Sequence, residues 1–134
     1  MSNIKQRMLE VLEETVNYYS GDTSRRCIED GICFYYKKGK MCAVGRCLVD
    51  PQSLEISIGG GDTNIVSLLK EEVELEFKDE YKGLPLSFWE DLQCLHDATG
   101  NWGTTQYSKG QLESAISNIK DKIADSTYER SQLL

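Results

Sequence analysis

The chain has 134 residues and a formal net charge of −7, with ordinary apolar content and only two prolines. That length predicts one domain able to bury a core without disulfide or metal staples. The acidic balance argues against general binding to duplex nucleic acid, and no stretch approaches the roughly 20 apolar residues of a membrane span.

Residues 3 to about 19 carry Ile4, Met8, Val11, Leu12, Val16 and Tyr19 at helical spacing, which predicts an amphipathic first helix ended by Ser20-Gly21-Asp22-Thr23. Its last turn holds Tyr18 and Tyr19 on neighbouring faces that one core stripe cannot both occupy. One of the two is therefore expected to face a partner or ligand.

Two extended pieces are expected around Arg25–Ile28 and Ile32–Tyr36, with Asp30-Gly31 as the hairpin turn. Lys37 to Lys40, containing Gly39, reads as a second turn. Cys42-Ala43-Val44-Gly45-Arg46-Cys47 follows and suits a short buried helix or strand, with Asp50-Pro51 as its stop. The small residues Ala43 and Gly45 permit a close approach to a neighbouring backbone.

Gly59-Gly60-Gly61 predicts a loop, and Asp62 or Thr63 a cap for a helix from Asn64. Lacking the Lys-Ser/Thr pair of a phosphate loop, the triglycine reads as a hinge or surface turn. From Glu71 to Phe77 the alternation of glutamates with Val73, Leu75 and Phe77 has a strand-like period of two. Ser87 with Glu90 predicts a capping box for a helix ending near Gly100, and Ser108 with Gln111 repeats the signature before the last helix. Leu112, Ala115, Ile116, Ile119 and Ile123 form its inner stripe, and the tail from Asp125 is expected to fray. The expected fold is a single mostly helical α+β domain over residues 1–134, with one small antiparallel sheet.

Charge is unevenly placed. Residues 25 to 46 hold six basic side chains against two acidic ones, while the rest of the chain holds nine against twenty. A local positive field in a concave site concentrates small anions. Beside it, the five cysteines suit a reduced interior better than a secreted disulfide framework. Their spacings lack the paired short intervals of structural zinc, so no metal and no cofactor are expected. Gln93, the sole histidine His96, and Asp97 share one side of their helix, where a histidine beside a carboxylate can act as base, ligand or orienting group.

Taken together, the aromatic strand ending Tyr35-Tyr36, the Gly39 turn, Cys42-Ala43-Val44-Gly45, and Leu92-Gln93 with His96-Asp97 before Trp102 resemble a pattern in a loosely characterised group of small bacterial and phage proteins. The likeness covers roughly residues 25 to 115. It implies a common fold and carries no established activity. Where many members have a second apolar residue and Pro-Asp after Gly45, this chain has Arg46-Cys47 and Asp50-Pro51, so Arg46 is a local addition. In general character the chain is also similar to phage immune-evasion proteins that sequester nucleotide signals as symmetric oligomers.

That likeness implies a non-enzymatic binding protein for a cyclic nucleotide or ADP-ribose-type signal, acting in the host cytoplasm as a homo-oligomer. Arg25, Arg26 and Arg46 are the expected phosphate grips, because arginine forks bind phosphate bidentately. Tyr35, Tyr36 and Trp102 are the expected stacking groups, and Gln93, His96 and Asp97 the polar readers of a base or ribose edge. Two alternatives stand beside it. One is an acidic inhibitor that binds a host factor through Glu71–Glu80. The other is a hydrolase of a nucleotide or amide using Cys42 or His96.

Overall fold

The computed structural model describes residues 3–29, 32–52 and 75–134. The Asp30-Gly31 turn, the triglycine loop, the helix expected from Asn64 and the first part of the Glu71–Phe77 segment lie outside the described residues. The rest is a mostly helical α+β domain.

Helix α1 spans Ile4–Gly21, and the Asn3 side chain caps its start by accepting from Lys5 N at 2.9 Å. Met8, Val11, Leu12, Thr15 and Tyr19 are its buried face, as the spacing requires. Thr15 is the polar intruder in that stripe, and it satisfies its hydroxyl by donating back to Val11 O at 2.7 Å.

Two short ladders follow. Strands β1 (Ile28–Glu29) and β2 (Ile32–Cys33) pair antiparallel, Ile28 opposite Cys33. Strands β3 (Tyr36–Lys37) and β4 (Lys40–Met41) form the second hairpin, Tyr36 opposite Met41 and Lys37 opposite Lys40. The antiparallel pairing is thus divided between two two-stranded ladders among the described residues. Gly45–Cys47 is a single tight helical turn, stopped as expected before Pro51. A one-pair antiparallel bridge joins Leu48 to Phe77, so the end of the ambiguous segment is extended.

Helix α2 spans Leu86–Asp97 and helix α3 spans Gln106–Ala124. Both begin differently from the capping boxes read in the sequence. Pro85 occupies the cap of α2 and gives no side-chain bond; instead Ser87 N donates to Ser131 Oγ at 3.1 Å, from the far end of the chain. For α3 the cap is Thr105, whose Oγ1 accepts from Ser108 N at 3.1 Å. Ile119 and Ile123 are the buried part of its stripe, with Leu112, Ala115 and Ile116 packed against the core at its margin.

The tail does not fray. Tyr128 is buried, its ring set edge-on to Phe88 at 5.7 Å. Leu134 N donates to Leu84 O at 2.9 Å, and Leu86 N donates to Gln132 O at 2.8 Å. The tail is held by a buried aromatic and by backbone pairing, neither of which depends on helical periodicity.

Aromatic rings fill the centre. Phe77 stacks on Trp89 at 4.6 Å, and Tyr19 meets His96 at 4.9 Å and Trp102 at 5.8 Å edge-on. Such pairs add about 0.5–1.5 kcal/mol each beyond the area they bury.

Candidate functional site

Helix α2 carries a polar cluster in which Gln93 and His96 face inward and Asp97 lies partly exposed beside them. Gln93 receives Val44 N on Oε1 at 3.2 Å and donates Nε2 to Asp97 Oδ1 at 2.8 Å. His96 is wholly buried, with Cys27 N at 3.2 Å from Nε2 and Asp97 Oδ1 at 2.7 Å from Nδ1. A backbone N–H can only donate, so Nε2 is the bare nitrogen and Nδ1 carries the proton toward the carboxylate. The imidazole is neutral in this arrangement. Burial drives its pKa below the ordinary 6.5, against the Asp97 contact, which raises it.

Arg26 was the expected phosphate grip nearest this cluster, and the structure turns it inward instead. Its Nε donates to His96 O at 2.9 Å, and its Nη2 reaches Asp97 O at 3.3 Å and Thr99 Oγ1 at 3.4 Å. The last carbonyls of a helix have no intrahelical partner and carry partial negative charge, so a guanidinium suits the end of α2. Trp102 is no stacking platform either. It is 7% exposed and donates Nε1 to His96 O at 3.0 Å. Tyr35 is likewise buried, and its hydroxyl has no hydrogen-bond partner among the described residues. Gln93 and His96 therefore tie α2 to Val44 and to Cys27 just before β1, and Asp97 braces both side chains. They share one place, as the sequence spacing required, but that place is a seam at the edge of the core, with His96 fully buried and the Asp97 side chain 37% exposed.

The remaining expected residues lie elsewhere. Arg25 is exposed, stacked on the Tyr18 ring at 4.8 Å and bonded to Tyr18 O at 3.0 Å. Tyr36 is half-buried in β3. Arg46 pairs with Glu14 at 2.6 Å, and Glu14 also takes the Tyr81 hydroxyl in a short hydrogen bond. Glu14 is desolvated there, which raises its pKa, but the Tyr81 and Arg46 contacts outweigh burial and lower it overall. Arg46 Nε and Nη2 are buried without a hydrogen-bond partner among the described residues, and the guanidinium lies 5.4 Å from the Tyr18 ring and 5.8 Å from Tyr81. Cation–ring attraction offsets part of that deficit. Of the two end tyrosines of α1, Tyr19 is core and donates to Met41 O at 2.6 Å. Tyr18 is half-buried on the rim of an open cleft shared with Glu10, Glu13, Asn17 and Arg46.

A second concavity carries the opposite charge. Lys37, Lys38 and Lys40 converge with Phe34 over a floor of Cys27 and Ile28, around a cavity of about 250 Å³. Lys37 Nζ sits 4.1 Å from the Phe34 ring centre. The second hairpin creates this convergence. Its turn residues Lys38 and Gly39 both have positive φ, 51° and 81°, the two-residue turn that matches strand twist. Pairing Lys37 with Lys40 across the ladder then brings the lysines together. None of these three lysines, nor Phe34, is among the site residues expected from the sequence. The signal was present in the local excess of basic charge, which the arginines drew toward themselves.

The thiols are in poor surroundings for nucleophilic chemistry. Cys27, Cys42 and Cys47 are buried, and Cys94 is exposed. Burial pushes Cys42 well up and Cys47 up to about 12. Among the described residues no cluster of three or more His, Cys, Asp or Glu is placed to hold a metal ion, and no helix is long and apolar enough to cross a membrane.

Comparison with protein families, with curated proteins and with solved structures returned no match.

Proposed function

We propose that this protein is a non-enzymatic binding protein that sequesters a nucleotide-like small anion, with the lysine-lined hairpin pocket as the phosphate-binding wall. The observation that carries the reading is the convergence of Lys37, Lys38 and Lys40 with Phe34 around one cavity, on a chain that is otherwise strongly acidic. Ammonium groups take phosphate as point charges, and an aromatic ring beside them gives a base or ribose an apolar surface. This moves the phosphate contacts from Arg25, Arg26 and Arg46 to the lysines.

Binding without turnover is supported by what the reactive groups do. His96 has both ring nitrogens engaged in the core, and Cys42 is buried with its thiol pKa raised. The resemblance to small phage proteins extends the reading to an anti-defence role in the host cytoplasm, as a two-fold homo-oligomer.

A thermal-shift panel of cyclic nucleotides and ADP-ribose derivatives tests it. A ligand at 100 times its Kd stabilises the folded state by about 2.7 kcal/mol, a clear rise in melting temperature. Heat-denaturing the complex and weighing the released ligand then separates capture from hydrolysis: intact ligand supports sequestration, altered ligand refutes it. A flat panel at high ligand concentration would remove the reading.

A further inference from the structure

The floor of the lysine pocket is hydrogen-bonded to helix α2 through the His96 imidazole, beside the bonds that Arg26 makes to the end of that helix. Cys27, which lines the pocket, donates its N–H to His96 Nε2 at 3.2 Å, and its carbonyl accepts from Phe34 N at 2.9 Å. Phe34 lines the pocket as well. A continuous path of hydrogen bonds therefore runs from helix α2 through the Cys27 backbone to the aromatic wall. Its first link exists only while Nε2 is bare. A proton on Nε2 sets two donors against each other at that contact, in a place without solvent access to either.

We propose that protonation of His96 unlatches Cys27 and disorders the lysine pocket, so that the ligand is held near neutral pH and released in acid. What is released rests on the binding reading above; the latch itself has its own readout. The charged groups that reach the ring act in opposite directions. Asp97, on the same helix, favours the imidazolium through Nδ1, while Arg26, whose guanidinium donates to the His96 carbonyl, opposes it. Tyr19 from α1 meets the imidazole in an edge-to-face pair at 4.9 Å, and the Cys27 and Trp102 contacts add no charge. Burial outweighs the carboxylate, so the proton arrives below the ordinary histidine value.

The sign of the effect separates this latch from simple charge addition. A new cation near an anion pocket would by itself tighten binding in acid. The latch weakens it.

Since His96 is the chain's one histidine, its imidazole resonances titrate without overlap. The experiment follows three quantities on the full chain from about pH 8 to about pH 5, the span across which histidine changes charge. These are the imidazole shift, the hydrogen-exchange protection of the Cys27 amide, and affinity for ADP-ribose, whose diphosphate keeps its charge throughout. The latch predicts that Cys27 protection and affinity fall with the imidazole titration, affinity by about tenfold per pH unit below the midpoint, the slope of one linked proton. Asp97→Asn removes the group that favours the cation and moves all three midpoints to lower pH. Unchanged Cys27 protection through the titration, or affinity that rises or stays level in acid, overturns the proposal. No ADP-ribose or cyclic-nucleotide binding at about pH 8 instead overturns the ligand reading, and Cys27 protection then still decides the latch.

Discussion

The Tyr128 hydroxyl donates to Asp91 Oδ2 at 2.7 Å, and this contact fastens the C-terminal tail onto the helix that carries His96. Lys122 reaches the same carboxylate oxygen at 2.8 Å, so α3, the tail and α2 meet at one acceptor. The ring beneath that hydroxyl is almost fully buried.

Tyr128→Ala should therefore lower the unfolding free energy by about 3–5 kcal/mol, the range for deleting a buried aromatic. Tyr128→Phe keeps the ring and should cost about 1 kcal/mol. Urea denaturation measures both. A change under about 0.5 kcal/mol for the alanine variant, as at an ordinary surface position, would mean that the tail is not docked.

Gly45 is fixed by proximity and Gly39 by conformation. A Cβ at Gly45 would sit 2.3 Å from Tyr35 O, and that oxygen already accepts from Cys42 N at 3.1 Å. Gly45→Ala should cost about 3 kcal/mol, at the upper end of overpacking, because backbone has to move. At Gly39 the space is open but φ is 81°, so Gly39→Ala should cost about 1–2 kcal/mol through backbone strain alone. Thermal denaturation ranks the two.

Folding stability should decline in acid through His96. Its folded pKa lies below the ordinary 6.5, so the unfolded chain takes up the proton first as pH falls. The contribution is whole above about pH 6.5 and is lost progressively below it. Denaturation midpoints across this range check the sign, and stability that rises as pH drops from 7 to 6 (about the interval where an ordinary histidine titrates) would contradict it.

Thiol reagents should distinguish the cysteines by burial. Cys94 should react in the native protein, slowed by a raised pKa that burial and nearby carboxylates cause. Cys27, Cys42 and Cys47 should react only on unfolding. Peptide mapping after alkylation reads this directly. Fast native labelling of Cys42 would revive the hydrolase alternative.

Lys38 holds a left-handed backbone that asparagine adopts more readily. Lys38→Asn should stabilise the hairpin by up to about 1 kcal/mol and at the same time weaken anion binding. A gain in melting temperature with unchanged ligand affinity would place the phosphate contacts elsewhere.

Local sequence determined what local physics controls. The α1 stripe from Met8 to Tyr19, the second hairpin turn at Gly39 and the close approach at Gly45 were readable because periodicity, φ and side-chain size act over a few residues. The caps were not. Ser87 and Glu90 have the spacing of a capping box, yet the donor at the start of α2 is satisfied by Ser131, which only the folded chain brings near. Arg26 shows the same limit for function: its charge was visible, but its direction depended on the carbonyls that end α2. The spacing of Gln93, His96 and Asp97 puts them on one side of their helix, and only the packing turns Gln93 and His96 inward. Lys37, Lys38 and Lys40 became a candidate site only when the hairpin register placed them around one cavity.

The bonds that α2 makes have a kinetic consequence. It is tied to Cys27 across 69 residues, to Val44 across 49 and to Ser131 across 44. A helical domain usually condenses fast because its contacts are close in sequence, but here the central helix gains its polar partners only after long loops close on both sides. Refolding should therefore take milliseconds or longer, slower than the microsecond times of simple helical bundles. In the transition state α2 should resemble a free helix, with its inward polar groups still hydrated. Substitutions at Gln93 should then accelerate unfolding far more than they retard folding.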